Sequence, residues 1–411
     1  MMIDRFSVAA SSDIAVTPSR WAGLSQDMED DRSEDQPIDR DSLVSVGPTH
    51  HAETEPSRQD RSMTPVPPLS SAATAILAEV DAERKRLDVP GVVLAVRTPA
   101  GERWSAAVGT RDVATGEPLA VDAVLRIGSV TKTIIATVIL RLTETGDLGL
   151  DDEARTHLPH LNLPSGVTVR RLLGMTAGLP EYTTEEFLTA LLAAPERVWR
   201  PRELVEFAQR GPQHFTPGAS WEYSNTGYIL LGMLAEHATG VLVEDLAARF
   251  VFEPLGLQGT SLPPRSPAGT GLPDPRVRGY LRDDTALVDA TDINPSWAWT
   301  AGNALSTADD LVVLVEALVR GDLLSDQTQR IRMTGRPIAG TDWTYGLGIA
   351  DFGGFWGHNG QLPGFQTFTG HDPETETTVV VLATANESIE HTNPADTLAL
   401  RVRELLASAT A

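Results

Sequence analysis

Ser129 stands three residues before Lys132 in RIGSVTKTIIATVILRL, the stretch from Arg126 to Leu142. A serine hydroxyl attacks an acyl carbon usefully only with a base in hydrogen-bond reach. A lysine can be that base when burial strips its proton, whereas an arginine keeps its charge at any workable pH. Of the 33 basic residues, only Lys85 and Lys132 are lysine and 31 are arginine, so a lysine retained here invites a chemical reason. The apolar pattern of Thr131–Thr143 predicts a helix, with Ser129 in its first turn and Lys132 one turn later on the same face. The positive end of such a helix stabilises a developing alkoxide. Spacing alone does not decide the matter, because a serine cap followed by a surface lysine has the same pattern.

Two other segments carry groups that could join this pair. In FTPGASWEYSNTGYILLGMLAE, Pro217-Gly218 predicts a turn and an apolar helix follows, leaving Tyr223-Ser224-Asn225 on the loop that enters it. Such a loop can aim a phenol and a carboxamide at a neighbour, or simply cap the helix through Asn225 or Thr226. In GFWGHNGQLPGFQTF, glycines flank His358-Asn359-Gly360 and permit close backbone approach, with a strand to supply free N–H groups. A lone histidine there is usually structural. His157 and His160 in HLPH read as a solvated loop rather than a ligand pair, since proline intervenes and the chain has no HExxH. With no cysteine there is no thiolate nucleophile and no Cys-ligated metal, so no metal and no cofactor are expected.

The elements that must position these groups are legible around them. SSAATAILAEVDAERKRL, from Ser70, predicts an amphipathic helix capped by serine, and VPGVVLAVRTPAGERWSAAVG a hairpin turning at Pro99-Ala100-Gly101. From Asp147 to about Ser296 the pattern is helices and Pro/Gly loops. YGLGIADF, PGFQTFTGHD and TTVVVLATAN then predict three strands, and ADTLALRVRELLASA a closing helix. Strands at both ends with a helical block between them imply one sheet assembled from both termini. Residues 1–68 read as a disordered acidic segment: 1–63 hold 13 acidic and 6 basic side chains with no sustained periodicity. The catalytic domain is expected over 69–411, with a sheet subdomain at about 69–146 and 297–411 and a helical subdomain at about 147–296.

A net charge of −23 over 411 residues argues against nucleic acid and anionic membranes as partners. The longest apolar run, Thr133–Leu140, is too short to span a bilayer, and MMIDRFSVAASSDIAV lacks a basic start and is broken by Asp13, so a cytoplasmic location is expected.

Taken in order, Ser129-x-x-Lys132, Tyr223-x-Asn225 and His358-Asn359-Gly360 resemble the active-site motifs of the serine penicillin-recognising superfamily, in its class C β-lactamase-like branch. The resemblance runs from about residue 70 to 407 and includes VTVRRLLGMTAGLPEY, VFEPLGLQGTSL, WTAGNALSTADDL and YGLGI. It implies an α/β, β-lactamase-like fold: an antiparallel sheet from both termini, flanked by helices, with a large, mostly helical insertion. It further implies that Ser129 is acylated, that Lys132 and Tyr223 move its proton, and that His358 orients the tyrosine or the leaving group. Asn225 would bond the substrate's acyl side, Gly360 would let the third strand approach, and the backbone N–H groups of Ser129 and Gln361 would form the oxyanion hole. Trp299, with Trp297, would line the pocket by position, unless both are core. The partners implied are a small-molecule acyl donor and a water, amine or alcohol acceptor.

Departures from the branch narrow this expectation. The carboxypeptidases resembled carry His-Thr-Gly-Thr in the third motif and an arginine after Gly-Leu-Gly, which together hold a substrate carboxylate. Here those positions are Asn359, Gln361 and Ala350, and Asp351 beside them would repel an anion. Gly174 and Ala177 replace the more usual His and Ser of another loop. The expectation is therefore an ester, amide or lactam substrate, handled by a hydrolase or transacylase. The alternatives are a D-alanyl-D-alanine carboxypeptidase, a D-aminopeptidase or a β-lactamase, and beyond these a non-catalytic binding protein on the same fold.

Overall fold

The computed structural model describes residues 69–265, 271–282 and 286–410, so the segment read as disordered, 1–68, lies outside them. Helix α1 (Ser71–Arg86) is capped by Ser70, whose Oγ accepts from the Ala73 amide at 3.2 Å. Strands β1 (Gly91–Arg97) and β2 (Arg103–Gly109) form the expected hairpin. Six strands lie near the other end: β3 (Arg336–Pro337), β4 (Thr344–Tyr345), β5 (Ala350–Asp351), β6 (Trp356–Leu362), β7 (Phe365–Asp372) and β8 (Thr377–Ala383). They join β1 and β2 in one antiparallel eight-stranded sheet of order β2-β1-β8-β7-β6-β5-β4-β3. Val92 of β1 stands opposite Ala383 of β8, so the sheet is closed by segments from both ends of the described chain.

Strands β1 and β8 are apolar on both faces because helices cover both faces. Every residue of β8 is buried, and each fully buried valine or leucine contributes about 1.5–3 kcal/mol. Helix α4 (Ala308–Arg320) covers one face, where Thr378 Oγ1 donates to Glu316 at 2.9 Å. Helices α1 and α5 (Pro394–Thr410) pack together on the other, where Asn359 Nδ2 donates to Asp396 at 3.0 Å. The register puts Thr378, His371 and His358 on the first face and Asn359 on the second.

Between the two strand groups lie mostly helices. Helix α2 (Thr131–Thr145) is buried on all sides from Thr131 to Leu140, as suits a helix at the centre of a domain. Helix α3 (Asn225–Thr239) packs against it. Among the described residues no single helix is long and apolar enough to cross a membrane.

One expected element is divided. YGLGIADF is not one strand but β4 and β5, separated by a turn in which Gly346 N donates to Ile349 O at 2.8 Å. Gly348 sits in that turn at φ +75°, where a Cβ would fall 2.2 Å from the Ala136 side chain. The break lets the sheet edge lie directly on α2, the helix that carries Lys132.

Candidate active site

A 3-10 turn, Gly128–Val130, leads into α2 and lifts Ser129 to a half-buried position. Thr131 Oγ1 donates to Gly128 O at 2.6 Å and ties the turn to the helix. Lys132, one turn on, is completely buried. Its Nζ lies 2.9 Å from Ser129 Oγ, 2.8 Å from Asn225 Oδ1 and 2.7 Å from Ala301 O. Tyr223 approaches from the loop before α3 and donates its hydroxyl to Ser129 Oγ at 2.6 Å. Nζ also lies 4.7 Å from the centroid of the Tyr223 ring. Serine, lysine, tyrosine and asparagine, spread over 97 positions of sequence from Ser129 to Asn225, thus converge on one oxygen and one amine.

Burial pushes Lys132 down from an ordinary 10.5 to about 7, with only the Glu181 carboxylate pulling the other way. The neutral amine has two N–H groups and one lone pair. Ala301 O and Asn225 Oδ1 are acceptors only, so they take the two protons and leave the lone pair facing Ser129. Burial also raises the Tyr223 phenol well above its usual range, keeping it a donor.

The third motif sits on β6. Only Trp356 and Gly357 of this strand pair with β5; beyond them its free edge faces the Ser129 turn. Gly360 permits the contact, since a Cβ there would fall 2.0 Å from Ile127 O and 3.0 Å from Ser129 N. From the other side, a Cβ on Gly128 would fall 2.6 Å from Gln361 N. The amides of Ser129 and Gln361 are thereby brought to the same small gap. The Gln361 side chain itself is exposed, its Nε2 donating to Asn386 O at 3.4 Å.

Other expected residues are placed differently. His358 is buried, its ring centroid 6.4 Å from that of Tyr223, but its nitrogens meet Asn359 O and the Tyr345 hydroxyl rather than Tyr223. Trp299 is completely buried under Arg265, its Nε1 3.4 Å from Glu244, and Trp297 is buried against Phe187. Both tryptophans are core, which corrects the expectation that they line the pocket. Asp351 is corrected too. It stands opposite Trp356, four residues and so about 13 Å along the strand from Gly360, and its carboxylate accepts from Gly354 N at 2.7 Å. It is too remote to repel a bound anion. Ala350 is buried opposite Gly357, and Asn359 points away from Ser129 to Asp396.

Two residues not foreseen complete the surroundings. Glu181 accepts from the Asn225 amide at 2.6 Å and the Tyr182 amide at 2.9 Å, and burial raises its pKa. It lies in GLPEY, a segment already seen to resemble the family, but nothing in its spacing ties it to Lys132. Because its carboxylate supports the charged amine, Glu181→Gln should move the acid limb of activity to lower pH. A limb that stays put would mean that Glu181 is uncharged in the working enzyme. Tyr345, in YGLGI, is the other.

Comparison with known proteins identifies the family. A family profile described as beta-lactamase matches residues 78–404. Penicillin-binding protein 4* of Bacillus subtilis is 26% identical over 69% of this chain and 65% of its own length, so the match leaves about a third of that relative uncovered. Esterase EstB of Burkholderia gladioli is 27% identical over 71% of this chain and 87% of its own. The crystal structure of a D-stereospecific amidohydrolase from Streptomyces superposes with a TM-score of 0.71 at 29% identity, over 82% of this chain and 99% of that one. These relatives support a serine hydrolase or acyl-transfer function. With most of the described residues matched to one profile, the chain belongs to the beta-lactamase family.

Proposed function

We propose that this protein is a serine acyl-transfer enzyme acting on a small-molecule ester, amide or lactam through an acyl-Ser129 intermediate. The observation that carries the reading is the buried Lys132 amine, 2.9 Å from Ser129 Oγ, held by two acceptors on its other sides and pushed down to about 7 by burial. Lys132 takes the Ser129 proton as Oγ attacks the acyl carbon. The oxyanion forms in the gap between the Ser129 and Gln361 amides, where each donor is worth about 3–4 kcal/mol. Tyr223, protonated and bonded to the same Oγ, delivers a proton to the leaving group and is reprotonated by Lys132. The serine proton thus ends on the leaving group. Deacylation runs the same path in reverse, with water, an amine or an alcohol giving up its proton.

Residues at the positions where the resembled carboxypeptidases clamp a carboxylate favour a neutral leaving group. Asn359 is turned toward Asp396, Gln361 is uncharged and Ala350 is buried. No cationic side chain stands at any of the three, and a charge-assisted hydrogen bond lost there is worth about 1.5–3 kcal/mol.

Intact-protein mass spectrometry after mixing with a panel of activated acyl esters, with and without amines, tests the reading. An adduct on Ser129 that clears faster with amine, releasing amide, would assign a transacylase. Clearance indifferent to amine would assign a hydrolase. If no ester, amide or lactam leaves an adduct and none is turned over, the reading fails.

A further inference from the structure

The motif histidine of this site is not free to exchange protons. His358 Nδ1 lies 2.5 Å from the backbone oxygen of Asn359. A carbonyl only accepts, so Nδ1 carries the hydrogen and Nε2 presents a lone pair. Nε2 in turn lies 3.1 Å from the Tyr345 hydroxyl, which must then be the donor. Both ring nitrogens are occupied, and His358 is only 2% exposed.

Tyr345 is itself fixed. It is buried on β4 opposite Ala350, its ring edge-on to the imidazole at 5.8 Å and 5.8 Å from the ring of Trp221. Beside it is Tyr228 of α3, whose hydroxyl donates to Leu173 O at 3.1 Å and also hydrogen-bonds the Tyr345 hydroxyl, a second partner for that group besides Nε2. Behind these two tyrosines lies Arg332, buried, with Nη1 donating to Thr137 Oγ1 and Nη2 to Thr133 O of α2 while its Nε has no partner. The groups gathered around His358 are therefore Lys132 from α2, Tyr223 from the loop before α3, Tyr228 from α3, Tyr345 from β4 and Arg332 beyond, and none of them is an acid. A proton on Nε2 would place a second buried cation beside Lys132, and the carboxylate beside that amine, Glu181, is bonded to the Asn225 and Tyr182 amides rather than to the ring. Burial, with the Lys132 charge, accordingly holds His358 down at about 3.

We propose that Tyr345 is a positioning residue that locks His358 as the neutral, Nδ1-protonated tautomer, making that ring a rigid wall behind Tyr223 and Lys132 rather than a proton carrier. The proposal rests on the acyl-transfer reading above. It leaves all proton movement to Ser129, Lys132 and Tyr223.

The test is nitrogen NMR of the full chain labelled in its histidine rings, with His358→Gln used to assign the resonances. The expected His358 signature is a protonated Nδ1 and an unprotonated, hydrogen-bonded Nε2, unchanged between about pH 5 and pH 9, well above the lowered pKa. In Tyr345→Phe the Nε2 signal should move to its unbonded position, and kcat should fall roughly 10- to 100-fold with KM kept, the size expected for a displaced reacting group. A ring protonated on Nε2, a ring that titrates in that range, or a Tyr345→Phe spectrum identical to the parent would overturn the proposal. The spectrum needs no turnover, so it stands apart from the acyl-transfer reading, whose own failure would show as a missing Ser129 adduct in the parent protein.

Discussion

Ser129→Ala is expected to abolish the acyl adduct and to lower turnover by on the order of 10⁴- to 10⁶-fold, the loss seen when a serine is removed from a cooperating set. The size of the effect follows from the geometry. Ser129 Oγ is the single atom that both Lys132 Nζ, at 2.9 Å, and the Tyr223 hydroxyl, at 2.6 Å, address. Without it the amine and the phenol have no nucleophile to serve, and what remains is binding and the pair of backbone amides. The fold should survive. Lys132 keeps Asn225 Oδ1 and Ala301 O, and the half-buried position of Ser129 leaves room for water to satisfy Tyr223. Mass spectrometry for the adduct, circular dichroism for the fold and steady-state kinetics for the rate check these three statements. Turnover near the parental level would place the nucleophile elsewhere and end the mechanism.

Lys132→Arg should also be strongly damaging, with a rate loss of about 10²- to 10⁴-fold, the usual contribution of a general base. Arginine keeps the charge but has no basic form at any pH the protein tolerates. Its planar fork must also enter a fully buried site shaped for an amine with three convergent partners. The parent enzyme should show the complementary pH behaviour. Burial lowers Lys132 to about 7, so the neutral amine predominates above that pH and is lost below it. Activity should therefore climb with pH through a midpoint near 7 and level above it, until another group intervenes. Lys132→Arg should show no such limb, and raising the pH should not rescue it. If the substituted protein responds to pH as the parent does, the limb belongs to another group.

Much of this site is legible in the sequence because its chemistry is written in local patterns. Ser129 and Lys132 are separated by one helical turn, and the scarcity of lysine draws attention to the second. Tyr223 and Asn225 stand at a recognisable helix entry, and Gly360 advertises close backbone contact. What sequence leaves unseen is what depends on long-range placement. Nothing local distinguishes Trp299, buried under Arg265, from a pocket-lining tryptophan, because the direction of its side chain is set by the packing of α3 and not by its neighbours in sequence. Asp351 follows the alanine that replaces a binding arginine, yet the strand pairing carries it to the far end of β6. Glu181 and Tyr345 are met only when loops separated by tens to hundreds of residues are brought together. The split of YGLGIADF follows from the close approach of Gly348 to Ala136, which no period-two pattern encodes.

The pairing of Val92 with Ala383 sets the order in which this protein can become active. A β1–β2 hairpin can form early, but its open edge has no partner until β8 exists, 291 residues later. Closing so long a loop costs about 5 kcal/mol in chain entropy before any contact repays it. During synthesis the hairpin and the helical block must therefore wait, with an apolar strand edge uncovered, while the rest of the chain emerges. Ser129, Lys132 and Tyr223 are made long before β6 arrives to pack against the Ser129 turn. The proposed nucleophile therefore stands in an unfinished site until the same late strands arrive that cover the open edge of β1.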